Sequence, residues 1–116
     1  RRARVTALKW GGAGIVALPG EIFAETALEI RESLAQKDPL FILAYADDNP
    51  GYIPPEADYL RGGYEIDEAH RFYGLGATIA PKTAEHLAEA GCKSVEMAGI
   101  SAAQTRPTKT YLSQGV

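Results

Sequence analysis

Apolar and polar positions alternate from Arg4 to Trp10, with Val5, Ala7 and Lys9 on one side and Thr6, Leu8 and Trp10 on the other. That period of two predicts a strand. Gly11-Gly12-Ala13-Gly14 reads as a hairpin-like turn, and Ile15-Val16-Ala17-Leu18 as a second, short strand. Its unbroken apolar run predicts cover on both faces. Pro19-Gly20 breaks this strand, and a helix is expected from Glu21 or Ile22. Phe23, Ala27, Ile30 and Leu34 recur at helical spacing, with Glu25, Glu29, Arg31 and Glu32 pointing away. Lys37-Asp38-Pro39 ends the helix, because a residue preceding proline avoids helical geometry.

Leu40 to Ala46 is the strongest strand signal, again predicted to be buried on both faces. A strand–helix–strand order implies a parallel crossover. It brings the ends of both strands to one sheet edge, so Glu21 and the loop from Asp47 to Tyr52 should be neighbours. From Asp47 to Leu75 the chain is polar, aromatic and rich in glycine and proline, with helical turns expected at 56–60 and 67–73. Connections this long are often functional. Pro81 opens a further helix, expected to reach Glu89 or Ala90 and to stop at Gly91. Periodicity then fades. The expected organisation is one domain over 1–91 and a tail over 92–116, either disordered or adding one weak strand through Val95, Met97 and Ile100. The predicted fold class is α/β: a small mixed sheet with a β-hairpin, a crossover helix, a long aromatic loop and a C-terminal helix.

Composition narrows the function classes. The 116 residues suffice for one domain with its own core. A net charge of −3, with Arg1, Arg2 and Arg4 as the only basic cluster, argues against a nucleic-acid-binding face. The single cysteine, Cys92, permits no intrachain disulfide and fits a reducing compartment. The sequence carries no signal peptide and no apolar run of the roughly 18 residues that a membrane span needs. A cytoplasmic location is the expectation. A start without methionine, just upstream of a strand, reads as a fragment or a processed product.

Several residues carry candidate chemistry. Glu21 stands at a strand end, where α/β proteins usually bind ligands and metals. The competing reading is a carboxylate stabilised at a helix N-terminus. Asp47 and Asp48, adjacent at the end of a strand, are candidates for acid–base work or a divalent ion, against a solvated turn. They lack EF-hand spacing. His70 is a candidate base or metal ligand, against a hydrogen-bonded loop histidine, and His86 reads as a surface residue of the last helix. Gly11 to Gly14 is no phosphate loop, because no Lys-Ser/Thr follows. Tyr45, Tyr59, Tyr64, Phe72 and Tyr73 form either the core of the loop or the lining of an apolar substrate pocket.

Leu18-Pro19-Gly20-Glu21, Arg31, Tyr52, Glu56, Tyr59 and Tyr64-Glu65 together resemble the neutral/alkaline (non-lysosomal) ceramidase family in its divergent bacterial form. The similarity runs over roughly residues 4–90. Ceramidases of this family hydrolyse an amide with a zinc ion held by two histidines, a glutamate and a tyrosine. The resemblance implies that Glu21 and Tyr52 are half of such a shell. The family's upstream histidines and serine have no counterpart here, Asp47 stands at an asparagine position, and Gly51 stands at a histidine position. The chain is then the C-terminal part of a ceramidase-like catalytic domain. The expected function is a metal-dependent hydrolase of ester, phosphate-ester or amide bonds, using zinc or another divalent ion. Glu21 and Tyr52 would hold the ion, with His70 and Asp47 or Asp48 completing the site. Its expected substrate is a small molecule or lipid-like, and its working form a homo-oligomer. The alternatives are a non-catalytic association domain and a ceramide amidase that needs an upstream half.

Overall fold

Gly11 and Gly12 join β1 (Thr6–Trp10) to β2 (Ala13–Ala17) in an antiparallel hairpin, with Trp10 opposite Ala13 and Thr6 opposite Ala17. The turn is two residues long, so β2 starts at Ala13 rather than at Ile15. A computed structural model describes residues 2–34 and 38–100. A short strand, β3 (Glu21–Ile22), precedes helix α1 (Ala24–Leu34). The chain then returns as β4 (Leu40–Leu43), parallel to β2 with Ile15 opposite Phe41 and Ala17 opposite Leu43. The sheet order is β1-β2-β4, and β3 pairs in parallel with β5 (Tyr52–Ile53) as a separate two-stranded ribbon. This is the expected α/β architecture, a small mixed sheet with a hairpin and helices.

Glu21 and Ile22 are strand, not the first helical turn. Their backbone is taken up by the returning loop: Gly20 N–H donates to Asp48 O at 2.9 Å and Glu21 N–H to Gly51 O at 2.9 Å. Just before them, Leu18 N–H donates to Leu43 O, while Ala46 and Tyr45 donate to Leu18 O and Gly20 O. Pairing therefore continues through the Pro19-Gly20 break. Beyond Leu43 the returning chain turns, with Tyr45 and Asp47 in the left-handed region at φ 59° and 64°, which ends β4 short of Ala46.

The long loop carries a 3₁₀ turn at Glu56–Asp58, a short helix α2 (Tyr64–Asp67) and a second 3₁₀ turn at Ala69–Tyr73. Ile66 and Ala69 are buried beneath it. Helix α3 spans Thr83–Met97 and passes straight through Gly91. Gly91 does not stop the helix, because it lies against the core: a β-carbon there would sit 3.4 Å from Ile30 Cδ1 and 3.6 Å from Val16 Cγ2. Residues 92–97 are helical, so no strand forms through Val95, Met97 and Ile100. Val95 and Ile100 join the main core with Val16, Leu18, Ile30 and Leu87. The remainder of the expected tail, 101–116, lies outside the described residues, as do 35–37 beyond the end of α1.

Packing corrects two further expectations. Along α1 the buried residues are Thr26, Ile30 and Leu34, while Ala27 is half-buried and Phe23 precedes the helix. The Arg31 guanidinium donates to Leu40 O at 2.7 Å, tying α1 to the start of β4. Helices α1 and α3 pack on each other, and α3 also packs on β1 and β2. The sheet is covered on the face carrying Val5, Ala7, Val16 and Leu40. On the other face Phe41 and Leu43 are 55% and 48% exposed and Ile15 is half-buried, so among the described residues neither β2 nor β4 is covered on both sides.

The helical reading of residues 92–97 has a direct check. Val95→Ala removes buried methyl groups and is expected to cost about 1–2 kcal/mol, while Met97→Ala at an exposed site should stay within about 0.5 kcal/mol. Urea denaturation of the two variants measures the contrast. Equal small losses would mean that this turn of α3 is not packed.

Candidate functional site

Glu21 is placed by the backbone seam between residues 18–21 and 43–51, and its register partner across the β3–β5 ribbon is Tyr52. Register partners in a sheet project side chains to the same face. Acceptance by the neighbouring Glu21 carboxylate, followed by its negative charge, holds the Tyr52 pKa above the ordinary value of 10.0. A second phenol, that of Tyr73, donates to Glu21 Oε1. That bond, followed by burial and the charge of Glu21, pushes the Tyr73 pKa up to about 12. One carboxylate therefore raises the pKa of two phenols and accepts a hydrogen bond from Tyr73. The approach depends on two glycines. Gly20 has φ 74°, and a β-carbon there would lie 2.9 Å from Gly51 O. Gly51 has φ 101°, and a β-carbon there would lie 2.8 Å from the Tyr73 ring. No side chain larger than hydrogen fits at either position without displacing what it touches.

Aromatic rings surround the cluster. Phe23 meets Tyr52 edge-on with centroids 6.3 Å apart, and Tyr52 meets Tyr64 edge-on at 6.2 Å. Tyr64 continues to Phe72 at 6.3 Å. Edge-to-face pairs at these separations are favourable and fix ring orientation. The aromatic middle of the sequence is thus split. Tyr52 and Tyr73 adjoin Glu21, Tyr64 and Phe72 extend the ring contacts outward from Tyr52, and the Tyr59 phenol donates to Ile79 O at 2.6 Å and anchors the loop.

The other residues singled out by sequence fall in different places. Asp48 lies alongside Gly20 through its backbone carbonyl and is half-buried, and Asp47 is exposed beside it. His70 sits in the Ala69–Tyr73 turn, half-buried, with Nδ1 enclosed and lacking a hydrogen-bond partner. His86 is exposed on α3. Arg31 serves the backbone of β4. The backbone N–H of Glu56 donates to the Glu85 carboxylate at 2.9 Å, so this part of the loop is tied to α3. Cys92 is half-buried, and burial followed by the charges of Glu96 and Glu29 pushes its thiol up to about 11, the opposite of an activated nucleophile.

Among the described residues no three of the His, Cys, Asp and Glu side chains come together in a way that would hold a metal ion. Glu21 therefore does not share a three-ligand cluster with Asp47, Asp48 and His70. A carboxylate beside a phenol is nonetheless a chemically suitable oxygen pair for a zinc-like ion. It fits half of a tetrahedral shell, provided that the Tyr52 proton leaves when the ion binds. Tyr73 is the functional residue that sequence reading missed as a partner of Glu21. The two are 52 positions apart, and only the small Gly51 hints that something packs there. No protein-family model, curated protein or solved structure matches this chain.

Proposed function

We propose that this chain supplies half of a divalent-metal centre to a hydrolase acting on ester, phosphate-ester or amide bonds, and that it works as a homo-oligomer. The observation carrying this reading is the in-register pairing of Glu21 with Tyr52 across the β3–β5 ribbon, with the carboxylate near enough to raise the phenol's pKa. It is the same pair that the ceramidase resemblance singles out.

Glu21 and Tyr52 would hold the ion, which when bound supplies Lewis-acid polarisation of the scissile group and activation of water. Tyr73 donates to Glu21 Oε1 and so orients the carboxylate, as hydrogen-bond partners of metal ligands commonly do. Tyr52 must give up its proton on binding, so affinity should rise with pH. Catalytic zinc sites use three protein ligands. The third belongs to a residue outside the Glu21–Tyr52 pair, with His70 or a second copy of the chain as its source. A site this open favours activated esters and phosphate esters over a stable amide. A second reading, a non-catalytic association domain, draws on the lack of a three-ligand cluster among the described residues.

Metal content per chain on freshly purified protein separates the two. The expected result is a bound transition metal in the wild type, reduced at least tenfold in Glu21→Ala, with hydrolysis of activated esters falling in parallel. Equal metal content in both proteins, or none in either, would leave the association domain as the better account.

A further inference from the structure

The uncovered face of the β1-β2-β4 sheet has a definite relief. Alternation and register place Thr6, Leu8 and Trp10 of β1, Ala13 and Ile15 of β2, and Phe41 and Leu43 of β4 on this one face, Thr6 being its polar end. Ala17 adds another small position on β2, opposite Leu43. The central strand thus presents small residues at both ends, and the two outer strands present large ones. Between them runs a groove of about 390 Å³ lined by Trp10, Ala13, Ile15, Phe41 and Leu43. Among the described residues no charged side chain lines it. Trp10 is 72% exposed and Leu8 53%.

We propose that this face is the contact between two copies of the chain, packed sheet on sheet. The inference deepens the oligomer part of the reading above and does not depend on the metal. Three arguments select a second copy. First, β2 and β4 pair in parallel, a pairing whose sheets usually bury both faces, and among the described residues nothing covers the second face of this pair. Secondly, large aromatic and leucine side chains left half to three-quarters exposed present roughly 500 Å² of apolar surface, near the upper end for the largest patch on a monomer. Two such faces together bury about 1,000 Å², which is the threshold for a specific interface. Thirdly, the relief is self-complementary. A large side chain from an outer strand of one copy can seat over Ala13 or Ala17, the small positions on either side of Ile15, in the other, as the inner faces of packed sheets interdigitate at about 10 Å. A two-fold pairing uses the same patch on both copies and closes on itself.

The test is sedimentation of the 116-residue chain over a concentration series, with emission from its single tryptophan, Trp10, recorded on the same samples. Dimers are expected, with Trp10 emission moving to shorter wavelength as they form. The double variant Leu8→Glu/Phe41→Glu places charge on both ridges and leaves the core untouched. It should weaken dimerisation about 100-fold or more, with an unchanged far-UV spectrum. Leu60→Glu, at a 98% exposed site in the long loop, should dimerise like the wild type. A wild type that stays monomeric, with Trp10 emission independent of concentration, overturns the proposal even if the double variant fails to fold. A folded double variant that still dimerises also overturns it. Metal content is read separately, so either outcome leaves the Glu21–Tyr52 reading to its own test.

Discussion

Gly51→Ala is expected to destabilise the protein by about 2–4 kcal/mol, a large share of the stability of a small domain. Two independent effects add at this position. The backbone at φ 101° is one that a β-carbon strains, and the new methyl would lie 2.8 Å from the Tyr73 ring. The ring must then move, and its phenol loses Glu21. Gly12→Ala provides the control, since its φ is ordinary and no atom lies within 4 Å of the added carbon. Urea denaturation should show a much lower midpoint for Gly51→Ala, with a slope close to that of the wild type. A midpoint shift no larger than that of Gly12→Ala would mean that the Tyr73 ring does not pack over this loop.

Glu21→Ala should bring the alkaline titration of Tyr73 to lower pH, by about tenfold or more in its ionisation constant. In the wild type this phenol is held up to about 12 by its bond to Glu21, so it should ionise after the ordinary tyrosines. Without the carboxylate only burial and the neighbouring phenols still hold it up, so it should ionise at clearly lower pH than in the wild type, and the Tyr52 titration should fall in the same direction. Tyr73→Phe assigns the late step by removing it. The sign for stability follows from the raised value. The folded state holds the proton more tightly than the unfolded chain, so the bond contributes fully below pH 10 and is lost as pH rises towards 12. Identical titrations of wild type and Glu21→Ala would show that the two phenols do not share this carboxylate in solution.

How much of this was legible in the sequence differs by element. The hairpin, the crossover helix and the parallel return strand were readable, because local alternation and helical spacing reported them directly. Covalent order then forced Glu21 beside the loop that carries Tyr52. Other features depend on what packs from far away. The run Leu40–Leu43 is apolar throughout, but apolar residues alone do not say that one face of a sheet is left open. Gly91 resembles a helix stop in isolation, and only the proximity of Ile30 and Val16 turns it into a packing position inside α3. Glu21–Ile22 looked helical because strand pairing of two residues leaves no periodicity to detect. Tyr73 joined the site through a loop whose path no local rule specifies. Arg31, Glu56 and Tyr59, which the ceramidase resemblance brought forward, hold backbone or anchor the loop in this fold.

The hydrogen-bonded run from Leu18 to Glu21 has a consequence for how the Glu21–Tyr52 pair is held. Pro19-Gly20 bends the chain but leaves it bonded, through the amides of Leu18, Gly20 and Glu21, to the segment ending at Gly51. Loops that carry functional groups usually open locally at little cost, whereas these amides are protected by the same seam that encloses Leu18 at the centre of the core. The backbone that carries Glu21 is therefore held by the core, whereas the bond from the Tyr73 phenol opens by side-chain rotation alone, so the carboxylate can exchange partners while the seam beneath it stays closed.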